Sequence, residues 1–419
     1  MAYRQPLCYG LALAMLLGAC GDDDAPAQPG ETVRSSHARL AASTDLGDAR
    51  SLAANDANFA LALLREAAPT DDFVFSPHSI SIALGMTYAG AAGDTAREMR
   101  EALRFRQEPA VLHQAFNTLD QELAGRGEGL VAPNGSPFRL RIANSLWAQR
   151  DFSMHESYLD LIAEHYGAGV TLLDFVADPE ASRNAINEWV AHQTEDHIPE
   201  LLPRGSVDPT TVLVLTNAVY FNAAWDDAFS EASTRDGEFR LGDGSTITLP
   251  LMHGAVGTTF ASGTGWRAAE IPYEGAKVAM LIVVPEDLAA FEAGLDAAQL
   301  DAITSALNEQ EVSVTMPRFE LRSELSLREA LSSMGMASAF QSADFSAMTP
   351  ETGLFISDVV HEAWMRVNEK GTEAAAATAV IIGRVSIPEM LVADRPFLFF
   401  VRDRPTGAVI FAGRVTDPR

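Results

Sequence analysis

Residues 366–390 read Arg-Val-Asn-Glu-Lys-Gly-Thr-Glu-Ala-Ala-Ala-Ala-Thr-Ala-Val-Ile-Ile-Gly-Arg-Val-Ser-Ile-Pro-Glu-Met. From Ala374 to Gly383 there is neither charge nor proline, and small residues lead into Val380-Ile381-Ile382. Ala374 to Ala377 alone favours helix, whereas Thr378 to Ile382 favours strand. An uncharged, conformationally ambivalent segment of this kind is prone to insert into, or aggregate on, an open sheet edge. Read blandly, it is a buried strand after a glycine turn. Its flanks decide between the two readings.

Outward from this tract, the chain reads as long buried strands preceded by helices. Val212 to Phe221 (Val-Leu-Val-Leu-Thr-Asn-Ala-Val-Tyr-Phe) is nearly continuous in β-branched and aromatic residues, the pattern of a strand covered on both faces. Val278 to Val284, Pro396 to Val401 and Ala408 to Ala412 read as further buried strands, the last two joined by the turn Arg402 to Gly407. Nearer the N-terminus, Leu52 to Glu66 has helical spacing, and Ser76-Pro77 starts a second helix that runs through Tyr88. Gly93 closes it, and Thr95 with Glu98 forms a capping box for a third. No βαβ alternation and no repeat is visible. The expected class is α+β, one large domain over 51–419.

Composition narrows the function. Of 419 residues, 47% are hydrophobic and 21% charged, which excludes a wholly disordered chain. Thirty Lys and Arg against 57 Asp and Glu give a net charge of −27, which repels nucleic acid and heparin alike. Cys8 and Cys20 are the only cysteines, so no disulfide framework or cysteine-based metal site exists in the body of the protein. No apolar run is long enough to span a bilayer.

The first nineteen residues read as a signal peptide, with Arg4 ahead of the apolar stretch Leu11 to Leu17. Leu17-Gly18-Ala19-Cys20 resembles a bacterial lipobox, which makes Cys20 the lipid-bearing first residue of a mature, extracytoplasmic protein, anchored at the envelope without a membrane span. Without lipidation the same leader implies secretion. Gly21 follows where inner-membrane retention would need aspartate. Residues 20–50, polar, acidic at the start and proline-containing, are expected to form a flexible tether.

Signatures of catalysis are missing. There is no G-x-S-x-G, H-E-x-x-H or phosphate-binding glycine loop. His155-Glu156 and His361-Glu362 lack the second histidine of a zinc motif. His192, Glu195, Asp196 and His197 match no metal spacing and read as a solvated helix end.

Over Asn58 to Pro418 the chain resembles a serpin. Asn368 to Ala377 (Asn-Glu-Lys-Gly-Thr-Glu-Ala-Ala-Ala-Ala) resembles the hinge of inhibitory members, residue by residue. Phe73 to Ile80 resembles the early strand-to-helix segment, and Thr216 to Trp225 the central strand with its terminal tryptophan. Asp394 to Phe400 and Phe411 to Val415 resemble the closing strands. The resemblance implies helices on a large central sheet with two smaller sheets and an exposed reactive-centre loop. It implies a suicide inhibitor, not an enzyme, which inserts its cleaved loop into the main sheet and traps the protease as an acyl-enzyme. No cofactor or metal is implied, the expected state is a monomer, and the alternative is a non-inhibitory serpin-fold binding protein.

The same resemblance implies roles for particular residues. Glu369, Gly371, Thr372, Glu373, Ala374, Ala375, Ala376 and Ala377 form the hinge. Ser76, Ser79, Asn217 and His361 form a polar cluster beneath the strands that part, and Trp225 packs where insertion begins. In a strand, Thr372, Ala374, Ala376, Thr378 and Val380 share one face, small or β-branched throughout. A charge there would be buried unpaired. From Thr372 to Val385 an inserted strand spans about 40–45 Å, enough to drag an attached protease across the domain and spoil its geometry.

Counting Glu369 as first, the family cuts after the seventeenth residue, so the expected bond is Val385-Ser386. Valine suits the small apolar pocket of elastase-like or subtilisin-like serine proteases. The competing register, Arg384-Val385, recruits trypsin-like enzymes.

Overall fold

The computed structural model describes residues 29–67, 71–130, 137–372 and 389–419. In chain order the first half comprises β1 (Glu31–Val33), α1 (Gly47–Ala67), β2 (Phe73–Phe75), α2 (Pro77–Tyr88), α3 (Gly93–Ala102), α4 (Pro109–Ala124), β3 (Arg139–Gln149), α5 (Glu156–Tyr166), β4 (Val170–Leu173), α6 (Pro179–Gln193) and β5 (Leu213–Ala224). The second half is mainly strand: β6 (Arg235–Arg240), β7 (Thr246–Gly263), β8 (Trp266–Pro272), β9 (Val278–Pro285), β10 (Asn308–Pro317), β11 (Phe319–Ser326), β12 (Val359–Asn368), β13 (Gly371–Thr372), β14 (Glu389–Val392), β15 (Phe397–Asp403) and β16 (Val409–Val415). The α+β expectation holds, with helices early and strands late.

Local chemistry accounts for the best-predicted elements. Ser76 is the N-cap of α2 and accepts from the Ser79 amide at 3.4 Å, with Pro77 at the first helical position. Every residue of α2 is buried, as its apolar run requires. The next boundary is corrected. α2 already ends at Tyr88, and Gly93 (φ +52°) opens α3 instead of closing α2. Thr95 caps nothing, because its hydroxyl accepts from the Asp344 amide at 2.9 Å, and Glu98 accepts from Ser338. A distant loop outbids the local capping box.

The flexible tether is also corrected where residues 29–50 are described. β1 pairs with β4 and becomes the outermost strand of its sheet, and α1 starts at Gly47. Ser35 donates to Asp160 at 2.5 Å, Arg39 pairs with Asp120 at 2.6 Å, and Leu40 bonds Glu164 and Asn117 through its backbone. Polar composition, which argued against a core, here supplies partners for α4 and α5 and covers a sheet edge.

Two sheets organise the body. The main one has seven strands in the order β1-β4-β3-β5-β13-β12-β11. The two smaller sheets of the expectation are joined in one nine-stranded ladder, because β7 pairs with β6 along its first third, with β10 in the middle and with β8 at its end. One face of the main sheet packs on α2 and the second sheet, and α6 covers the other with Trp189 edge-on to Trp147 at 5.4 Å.

A seam runs down the main sheet. β5 and β12 are parallel and pair directly from Leu215↔Val359 to Val219↔Ala363. Above Ala363 they separate, and β13 occupies the gap, with Thr372 opposite both Ala223 and Val367.

Candidate functional site at the seam of the main sheet

Glu369 begins the upper part of the site. It is 4% exposed and accepts from Arg318 Nε at 2.8 Å and Thr234 Oγ1 at 2.6 Å. Burial pushes its carboxyl up, but these donors outweigh burial and hold it below the ordinary value. Trp225 bonds on either side of it, its indole donating to Asn368 O at 3.0 Å and its amide to Lys370 O at 2.9 Å. Trp225 also stacks on Tyr273 at 4.5 Å.

Gly371 then turns the chain into the seam with φ +145°. A Cβ there would overlap the carbonyl oxygen of Ala223 and come within 2.7 Å of Ala224 Cα. Only glycine fits. Thr372 is wholly buried, and its hydroxyl lies 2.8 Å from that of Tyr273. Residues 371 and 372 are therefore already strand between β5 and β12.

The polar cluster sits lower, beneath the directly paired part of the seam. The Ser76 amide donates to His361 Nε2 at 3.0 Å, and His361 Nδ1 donates to Asn217 Oδ1. Asn217 Nδ2 donates to Ser79 Oγ and to Asn144 Oδ1, each at 2.5 Å. Because Nε2 accepts an amide, the ring is the neutral Nδ1–H tautomer. Full burial agrees, pushing the His361 pKa down to about 3. Asn217 of β5 and His361 of β12 are cross-strand neighbours, so this bond ties together the two strands of the seam.

Ser76, Ser79, Asn217 and His361 are thus brought together, and Glu369, Gly371, Thr372 and Trp225 converge at the top. Glu373, Ala374 to Ala377, Arg384, Val385, Ser386 and Cys20 lie outside the described residues. Sequence reasoning missed Asn144, Tyr273, Arg318 and Thr234. Asn144 alone carried a local signal, a polar residue inside an otherwise strand-like run. The reading of 192–197 as a solvated helix end is corrected in part: His197 stacks on Trp364 at 4.0 Å. Among the described residues no three His, Cys, Asp or Glu are placed to hold a metal.

Comparison with known proteins gives the class. Residues 54–418 match the family described as Serpin (serine protease inhibitor), and the chain belongs to that family. Among particular proteins, it is 37% identical over 370 residues to the uncharacterized serpin-like protein TK1782 of Thermococcus kodakarensis, covering 86% of this chain and 84% of that one. It is also 37% identical over 384 residues to the leukocyte elastase inhibitor of Bos taurus, covering 88% and 99%. The crystal structure of the thermophilic serpin tengpin in its native state superposes with a TM-score of 0.80 at 25% identity, covering 92% of this chain and 97% of that one.

Proposed function

We propose that this protein is a suicide inhibitor of serine proteases that traps its target as an acyl-enzyme by drawing the cleaved reactive-centre loop into the main sheet. The observation that carries this reading is β13. The first two residues of the insertion path already pair with β5 and β12, anchored above by Glu369 and closed below by the Asn217–His361 tie. The stretch beyond Thr372 is uncharged from Ala374 to Gly383, suited to continue the same ladder.

The bait residue in this proposal is Val385, with the bond cut at Val385-Ser386. An elastase-like or subtilisin-like target fits a valine, and the bovine relative is itself named an elastase inhibitor. Incubation with a panel of serine proteases is expected to give an SDS-resistant covalent complex and a small C-terminal peptide beginning at Ser386 by mass spectrometry. A peptide beginning at Val385 moves the bait to Arg384 and the target to trypsin-like enzymes. Clean cleavage with no complex anywhere in the panel overturns inhibition and leaves a serpin-fold binding protein.

We further propose that the mature chain starts at a lipidated Cys20 and is held at the cell envelope. Fractionation of a bacterial host is the check: the wild type is expected with membranes and Cys20→Ser in the soluble fraction. Equal partitioning of the two excludes the anchor.

A further inference from the structure

In the second sheet, β7 runs between β8 and β10 and carries small residues at its middle, Ala255, Gly257 and Thr259. Their short side chains leave a trough of about 470 Å³ over β7, within the size range of small-molecule sites. Carboxylates stand on both of its banks. On the β8 side, the Asp226 amide bonds the carbonyl of Pro272, the last residue of β8, at 3.0 Å, and Asp227 follows. On the β10 side, Glu309 pairs with Thr259 in the ladder, and Glu311 precedes Val312, the partner of Gly257. β8 and β10 are two strand spacings apart, about 9.6 Å.

Two observations set this trough apart from the rest of an acidic surface. First, its negative charge is not neutralised. Among the described residues, Asp226, Asp227, Glu309 and Glu311 form no ion pair, and Arg404, the one cation lining the trough, is committed elsewhere, to Glu270 and to the Ala276 carbonyl, each at 3.3 Å. Burial and the neighbouring Asp227 push the Asp226 carboxyl above its ordinary value, and burial and Asp226 do the same to Glu274. Second, Thr259 on the floor is 5% exposed, and its hydroxyl has no hydrogen-bond partner among the described residues. A buried hydroxyl left without a partner costs about 1–3 kcal/mol.

The layout selects the kind of cation. A metal ion draws its oxygen ligands to within about 2–2.6 Å of one point. Carboxylates divided between two banks do not converge in that way, and among the described residues no three His, Cys, Asp or Glu are placed to hold a metal. A flexible chain with separated ammonium groups can reach both banks at once, its methylene carbons lying over Ala255, Gly257 and Pro272.

We propose that this trough is a binding site for an aliphatic polyamine, with one ammonium group at Asp226 and Asp227, another at Glu309 and Glu311, and Thr259 Oγ1 accepting from a nitrogen above the floor.

Calorimetric titration of the intact protein with spermidine at low salt tests the site. The wild type is expected to bind one equivalent saturably, and butylamine, with a single ammonium, at least about tenfold more weakly. Asp226→Asn combined with Glu311→Gln is expected to weaken spermidine by about tenfold or more, the scale of a lost hydrogen bond to a charged group. Thr259→Val keeps the shape of the side chain and is expected to weaken binding by about three- to tenfold, while the free protein melts no lower than wild type. Glu66→Gln combined with Glu188→Gln removes the same charge from exposed positions on α1 and α6, and is expected to bind like wild type. A control that loses as much affinity as the trough pair shows attraction to overall charge alone and overturns the site. Unchanged affinity in the trough pair overturns it as well. Displacement of spermidine by an equal concentration of Mg²⁺ overturns the polyamine assignment, and Thr259→Val binding like wild type removes the hydroxyl from the site.

Discussion

Thr372→Arg is expected to turn the protein from an inhibitor into a substrate: the target protease cuts the loop and leaves, and no SDS-resistant complex accumulates. Thr372, the first inward side chain of the insertion path proposed above, is wholly buried between Ala223 and Val367 with its hydroxyl on Tyr273. A guanidinium there meets Tyr273, whose hydroxyl burial keeps firmly protonated, and the Trp225 ring. Neither can neutralise it. Glu369 is close in sequence but already committed to Arg318 and Thr234. An unpaired buried charge costs several kcal/mol even after relaxation. The arginine can reach water by withdrawing residues 371–372 from the seam, so the fold survives and only insertion fails. Titration against a serine protease that the wild type traps is expected to need about ten or more times as much variant per enzyme, since each 1.4 kcal/mol against insertion diverts roughly tenfold more loop to simple cleavage. Unchanged stoichiometry would remove insertion at Thr372 from the mechanism.

Asn217→Ala is expected to lower stability by about 3 kcal/mol, because one truncation leaves the buried His361 Nδ1–H without its acceptor and takes a second partner from the Ser79–Asn144 pair. His361 Nδ1, Ser79 Oγ and Asn144 Oδ1 all bond to this amide. The tie between β5 and β12 goes with it, so the seam should open first. The denaturant midpoint of the earliest transition reads the effect, and a change below about 0.5 kcal/mol, the scale of an ordinary surface substitution, would show that the cluster holds nothing together. The same cluster sets a pH dependence of definite sign. His361 stays neutral in the fold down to about pH 3, whereas the unfolded chain takes up a proton near pH 6.5. Stability is therefore lost as pH falls through that window, by about 2 kcal/mol between pH 7 and pH 5 from this residue alone. His113, pushed down to about 4 chiefly by burial, acts in the same direction. His361→Gln is expected to remove this residue's share, about 2 kcal/mol between pH 7 and pH 5. A slope identical to wild type would mean that His361 is not the buried neutral ring described above.

Much of this protein can be read along the chain. Ser76-Pro77 announces the start of α2, and the apolar run from Val212 announces β5. These features depend on nearest neighbours, on propensity, capping and the two-residue period of a strand, and a linear sequence displays them directly. Only the tertiary structure decided the partners. The Ser76 amide meets His361 across 285 positions, and Thr372 meets Tyr273 across 99. Thr95 looks like a cap until a loop near residue 344 takes its hydroxyl, and residues 29–46 look like tether until α4, α5 and the edge of β4 supply partners. His197 looks like any histidine at a helix end until β5 and β12 bring Tyr220 and Trp364 beneath it. A side chain's type limits what it can bond, but which donor, acceptor or ring it meets depends on how the sheets close and which distant segments are brought within about 3–4 Å of it.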